Sequence, residues 1–149
     1  VDLTQIHGLG PSLALKLVGE CGTDLTAWPS AKHFASWLCL APSNKISGGK
    51  VLSSRTRRSG SRAAALLRLA AVTVGRTQTA LGAFYRRLSA RVGKAKAVTA
   101  TARKLAVRLA LSWHEAGDTA GFQRIAGRLY QRCPDSPEAS RLQRLLGEG

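Results

Sequence analysis

The residues best suited to chemistry lie in one stretch, Ser43-Asn44-Lys45-Ile46-Ser47-Gly48-Gly49-Lys50, which continues through Val51 to Arg55, Arg57, Arg58 and Arg62. It joins a hydroxyl nucleophile, two consecutive glycines and a comb of cations, and it contains no carboxylate. Glycine lets a backbone come close to a phosphate because no Cβ holds it off. Successive backbone N–H groups in such a turn form an anion-binding concavity, and arginine grips phosphate oxygens in a planar fork. These residue types point to attack by Ser47 on a DNA phosphodiester held in a cationic cradle. They also suit a solvated basic loop that touches nucleic acid without chemistry. Ser53, Ser54 and Ser59 add hydroxyls nearby, so Ser47 is not the sole serine available.

The charge distribution supports a polyanionic partner. The 149 residues carry a formal net charge of +15, and no acidic residue falls between Asp24 and Glu115 while Lys and Arg recur throughout. A solvated surface normally mixes both signs, and so one-sided a stretch repels itself unless a polyanion neutralises it. Nucleic acid is the expected partner, with binding steeply dependent on salt. The same gap argues against metal-dependent chemistry by this chain alone. Two-metal phosphoryl transfer needs clustered carboxylates, whereas the acids lie near the two ends: Asp2, Glu20 and Asp24, then Glu115, Asp118, Asp135, Glu138 and Glu148. No metal ligand is therefore assigned.

Cys21, Cys39 and Cys133 are odd in number and far apart, which fits neither a disulfide framework nor zinc spacing; with the scattered His7, His33 and His114 they read as structural. A reducing cytoplasm is the expected compartment. No apolar run is long enough to cross a bilayer, and no signal-peptide pattern opens the chain. A sequence that begins at Val1 and contains no methionine is expected to be a piece of a longer protein.

The positioning elements read as helices, with no convincing period-two strand pattern, so the expected class is all-α. Over residues 3–20, Ile6-His7-Gly8-Leu9-Gly10-Pro11 precedes Ala14, Leu15, Leu17 and Val18 at helical spacing. Pro11 suits a first helical turn. The pattern resembles a helix-hairpin-helix module, in which Gly8, Gly10 and the following helix N-terminus face a phosphate; an ordinary αα-hairpin is the alternative. Ser30 is the expected N-cap of a short helix from Ala31 to Leu38, with Trp28 and Trp37 expected in the core rather than as base-stacking platforms. After the glycine-bearing loop come three longer helices: Ala63 to Val74 closed by Gly75, a second capped by Thr77 and running to Val92, and a third from about Ala95 to Ala116. The second carries Arg86, Arg87 and Arg91, and the third carries Arg103, Lys104 and Arg108. Residues 118–149 read as a separate helical tail, broken at Pro134-Asp135-Ser136-Pro137, with no catalytic motif.

In this order the pieces resemble the C-terminal transposase domain of the insertion sequence 110/116/902 family. The matching residues are Gly8-Leu9-Gly10-Pro11, Ser36-Trp37-Leu38-Cys39-Leu40-Ala41-Pro42, Ser47-Gly48-Gly49-Lys50, Arg55, Arg57-Arg58, Gly60 and Arg62. They continue with Leu81-Gly82-Ala83-Phe84-Tyr85 and Ala102-Arg103-Lys104-Leu105-Ala106. The resemblance spans about Leu3 to Trp113 and departs from the family at Cys39, where glycine is usual, and at Ala65, where a basic residue is common. It implies a recombinase whose active site is shared with an upstream RuvC-like domain that brings four acidic residues and Mg²⁺. It also implies that a serine, here Ser47, becomes covalently joined to DNA phosphate, and that a guide RNA pairs with donor and target DNA. Gly48 and Gly49 would shape the loop, and Lys50, Arg55, Arg57, Arg58 and Arg62 are candidates for phosphate or RNA contact.

The expected organisation is thus a serine domain at 1–117, containing the helix-hairpin-helix at 3–20, and the tail at 118–149. The expected partners are DNA, a guide RNA, the protein's own RuvC-like domain and further copies of itself in a prokaryotic, nucleoid-associated complex. No cofactor is expected on this chain alone. Three competing readings are a non-catalytic helix-hairpin-helix nucleic-acid-binding module, strand transfer with Tyr85 as nucleophile, and a ribosome-associated basic helical protein, which suits the charge but gives no reason for Ser47-Gly48-Gly49.

Overall fold

The computed structural model of the chain describes residues 3–22 and 27–116, with side chains through residue 112. Asp2, Asp24, Cys133, the His114 side chain and the expected tail at 118–149 lie outside what is described. A 3-10 turn, Leu3–Gln5, leads into α1 (Pro11–Cys21) and α2 (Ala31–Trp37). A hairpin of β1 (Lys45–Ser47) and β2 (Lys50–Ser53) follows, and then α3 (Arg62–Val74), α4 (Ala80–Val92) and α5 (Lys94–Ala116). The fold is mostly helical, as expected, but the two-stranded sheet corrects the strand-free reading. Both strands are too short and too exposed to show an apolar-polar alternation against a core.

Capping residues set the helix boundaries. Pro11 occupies the first turn of α1 behind Gly10, where its missing N–H costs nothing. Ser30, Ser61 and Thr79 each accept a hydrogen bond from a backbone N–H three residues on, at His33, Ala64 and Gly82, a contact typically worth about 1 kcal/mol. The cap of α4 is therefore Thr79 rather than Thr77. The Thr77 hydroxyl donates to the Val74 carbonyl at 2.7 Å and lies 2.8 Å from Thr79 Oγ1, so it ties the cap to the end of α3.

Helix α2 ends in a Schellman motif. The Leu40 N–H donates to the Ala35 carbonyl at 3.0 Å and the Cys39 N–H to the Ser36 carbonyl at 2.9 Å. Such a closure requires a left-handed residue, and Cys39 has φ 55°, the one positive φ outside glycine among the described residues. A glycine there would carry no Cβ penalty. Cys39 adopts this conformation at a cost.

The core lies where α1, α2, α3 and α5 converge. Leu15, Leu17, Phe34, Leu38, Leu67, Val74, Leu105 and Leu109 are fully buried. Ala63, Ala64, Ala70 and Ala71 on α3, with Ala102, Ala106 and Ala110 on α5, are buried too and let the helix backbones come close. Trp28 packs partly against this core and contacts Phe34 and Trp37, with ring centroids 5.1 and 4.8 Å apart. Trp37 departs from the expected core position, being 50% exposed.

Candidate nucleic-acid interface

Ser47, Gly48, Gly49 and Lys50 form the tip of the β1–β2 hairpin. The two glycines are its loop, with φ 54° and 74°. Positive φ at both central positions is the type I′ geometry whose twist matches antiparallel strands. A Cβ built on either glycine meets nothing within 4 Å, so the conformation, not crowding within the protein, is what selects glycine here. Ser47 pairs with Lys50 across the strands, which sets their Cβ atoms roughly 5 Å apart on one face. Both are exposed. The Ser47 hydroxyl bonds to no described residue, whereas Ser53 and Ser59 accept hydrogen bonds from the backbone N–H groups of Arg55 and Ser61.

Below the tip the ladder is irregular. Lys45 faces Ser53 but Ile46 faces Val51, so Leu52 is an extra residue on β2. Such a bulge bends the strand and re-aims its side chain, and Leu52 is 69% exposed. The base of the hairpin is closed by the Pro42–Thr56 bridge and by the Ser43 N–H donating to the Arg55 carbonyl at 3.0 Å. Between β2 and helices α4 and α5 runs an open cleft of about 1320 Å³. Arg55, Lys96, Arg103, Lys104 and Arg108 line it, with Leu52, Phe84 and Val107 among its apolar residues and no carboxylate. Lys104 Nζ sits 4.6 Å from the centroid of the Phe84 ring, a cation–π contact that holds the ammonium at the cleft wall.

The expected cations are thus divided. Arg55 joins the cleft wall. Arg57 and Arg58 are exposed on the irregular segment before α3. Arg62, on the first turn of α3, lies 3.6 Å from Glu20, with its own side chain 79% exposed and that of Glu20 25%. The α5 cations were noticed in the sequence but not assigned to the site. Their spacing from Lys96 to Arg108 puts them on one helix face, a signal present in the sequence, while the hairpin opposite them was not foreseen.

Gly8, Tyr85 and Arg86 have structural duties, and Gly10 shows none. Gly8 has φ 92°, and a Cβ there would lie 2.3 Å from Val74 Cγ2 and 3.0 Å from the Ala70 carbonyl oxygen, so packing on α3 already requires glycine. Gly10 is exposed, and its Cβ would meet nothing. The turn and second helix of the expected helix-hairpin-helix are present, but a 3-10 turn stands where its first helix was expected. On α4, Arg86 donates to the Gly75 and Thr77 carbonyls at 3.0 and 2.8 Å. The Tyr85 ring lies 2.5 Å from a Cβ built on Gly75. Both side chains brace the α3–α4 corner, which leaves the Tyr85 reading without support.

No group of three or more His, Cys, Asp or Glu that could hold a metal occurs among the described residues. His33 Nδ1 lies 2.7 Å from the Ser30 hydroxyl at the α2 cap. Burial, with the Glu20 charge second, pushes the Cys21 thiol up to about 12, which leaves it un-ionised at neutral pH. Among the described residues no helix is long and apolar enough to cross a membrane.

A family model described as Transposase IS116/IS110/IS902 family matches residues 2–86. The chain belongs to this family. Membership gives it a transposase-related role, and the match covers α1 through the hairpin and α3 into α4. Helix α5, which supplies four of the five cleft cations, lies beyond the matched residues. No curated protein and no solved structure matches the chain.

Proposed function

We propose that this transposase-family chain supplies Ser47 as the nucleophile for DNA strand exchange of an insertion sequence. The observation that carries the reading is the placement of Ser47: exposed at a hairpin tip and directly across from Lys50, on a hairpin whose second strand lines a cleft with five cations and no carboxylate. Phosphoryl transfer depends chiefly on positioning and on stabilising charge as it spreads over the phosphate oxygens. The two-residue turn sets Ser47 and Lys50 side by side, and Lys50 offsets the developing charge.

In the step itself, Ser47 Oγ bonds to phosphorus, the bond from phosphorus to one deoxyribose oxygen breaks, and that oxygen leaves as a hydroxyl after taking a proton. The serine proton goes to a base outside the described residues, since an unassisted serine hydroxyl is a poor nucleophile. The product is a phosphoserine diester. It keeps the phosphodiester energy, so a second strand's hydroxyl can reverse the reaction onto a new partner.

The same reading assigns the acidic residues and Mg²⁺ to a RuvC-like domain that joins this one, in a complex containing more than one copy. Arg57, Arg58, Arg62 and the Gly10 end of α1 contact DNA or guide-RNA backbone. The test is strand exchange by this chain together with the RuvC-like domain and RNA. Ser47→Ala should abolish exchange while leaving DNA affinity within twofold. Unchanged exchange by Ser47→Ala would make the chain a non-catalytic binding module, with Arg57→Ala and Arg58→Ala weakening affinity.

A further inference from the structure

The cleft has dimensions and a lining that say more about its occupant than net charge does. Its cations on α5 run from Lys96 to Arg108, a distance of about 18 Å at the helical rise. An unstacked strand spaces its phosphates about twice as far apart as the ~3.4 Å of a helical one, so about three fit along the four α5 cations.

Apolar side chains stand among these cations. Leu52, re-aimed by the bulge, faces the cleft with Val51, Phe84 and Val107. Leu52 is 69% and Val51 58% exposed, which is costly beside water and useful beside unstacked bases. Duplex DNA shows a protein mainly its phosphates and groove edges, whereas an unpaired strand offers base faces to apolar walls and phosphates to cations. The N-terminus of α5 adds a second argument. Lys94 and Lys96 sit in its first turn with no acid to balance them, opposing the helix dipole; a bound anion removes that conflict.

We propose that the cleft between β2 and helices α4 and α5 holds one unpaired DNA strand, continuous with the phosphodiester that faces Ser47. Lys50, opposite Ser47, is followed by Val51 at the cleft margin, so a strand leaving the hairpin tip enters the channel within one residue's length. Lys96, Arg103, Lys104, Arg108 and Arg55 bind its phosphates, and Val51 and Leu52 receive its bases. The naming of this strand as the one attacked rests on the Ser47 reading; the preference for an unpaired strand does not.

The experiment measures binding of the full 149-residue chain to three labelled probes by fluorescence anisotropy across a salt series: a 12-nucleotide oligothymidylate, a 12-nucleotide oligouridylate and a 12-base-pair duplex. Arg103 and Arg108 are both exposed, so Arg103→Ala/Arg108→Ala should fold. The double variant should lose at least tenfold in oligothymidylate affinity, flatten its log–log salt slope by about 1.4, and change duplex affinity less than twofold. Leu52→Ala should weaken oligothymidylate severalfold with the slope unchanged. An equal or larger loss for the duplex, or no loss for oligothymidylate, overturns the channel, and a larger loss for oligouridylate transfers it from DNA to RNA. Ser47→Ala should bind all three probes as wild type does. Loss of strand exchange without these binding effects therefore sinks the channel alone, and the binding effects without a Ser47 adduct sink the nucleophile alone.

Discussion

Replacing Gly8 with alanine tests whether the loop before α1 is built for packing or for phosphate. The residue has φ 92°, and its new Cβ would lie 2.3 Å from Val74 Cγ2 and 3.0 Å from the Ala70 carbonyl oxygen. Holding an L-residue at such a φ costs about 1–3 kcal/mol, and forcing a methyl group into a filled core costs about as much again. The sum, about 2–6 kcal/mol, is a large share of the 5–15 kcal/mol that holds a typical domain together. Val74→Ala alone should cost about 2 kcal/mol, from two buried methyl groups and the space they leave. In the double variant the alanine Cβ enters that space, so the two costs should fall short of additivity by about 1–3 kcal/mol, the backbone strain and the Ala70 contact remaining. Urea unfolding of the four proteins with a constant m value measures the cycle. Additivity within about 0.5 kcal/mol would refute the packing argument. Unchanged stability with lost DNA binding would return Gly8 to the phosphate.

Cys39→Gly should stabilise the fold by about 0.5–1 kcal/mol, because relief of the left-handed cost outweighs glycine's extra chain entropy. That should raise the Tm by about 2–4 °C in a chain of this size, and a fall in Tm would contradict the strain at the end of α2. Gly48→Asn should retain strand exchange, since Asn-Gly also makes a type I′ turn, whereas Gly48→Val should lose it. If Gly48→Asn abolished exchange with the hairpin intact by limited proteolysis, close phosphate approach would be the reason for glycine. The Cys21 thiol, pushed by burial from 9.0 to about 12 in the fold, keeps its proton to higher pH there than in the unfolded chain. Stability from this group is therefore complete below pH 9 and declines as pH rises from 9 towards 12. Cys21→Ala should flatten that alkaline decline in thermal unfolding, and a slope unchanged by the substitution would assign it to other groups.

The helices were legible because their signals are local. Pro11, Ser30, Ser61 and Gly75 mark ends that depend on nearby backbone groups, and the leucine and alanine spacing of α3 and α5 repeats over several turns. The Thr77 and Thr79 hydroxyls are two residues apart, and only the corner geometry decides which caps α4. The hairpin escaped because Lys45–Ser47 and Lys50–Ser53 bury nothing and so show no alternation; its surviving signal is the Gly48-Gly49 pair, which reads as a phosphate loop or as a two-residue turn. The cationic stretch was visible in the sequence as charge. Its division into cleft wall, exposed comb and carbonyl clamp was not, because Arg86 and Arg87 differ only in which way the helix turns them, and that depends on the α3–α4 corner. The bulge at Leu52 arises from a register no local rule fixes.

The central claim is that Ser47 becomes bonded to DNA. Its most direct measurement combines this chain, the RuvC-like domain, the guide RNA and a nicked DNA substrate that traps the intermediate. Protein–DNA adducts are resolved on a denaturing gel, and the attached residue is located by mass spectrometry. The account predicts an adduct on the peptide containing Ser47, absent in Ser47→Ala and present in Tyr85→Phe. An adduct on any other residue, or strand exchange by Ser47→Ala at the wild-type rate, would contradict it.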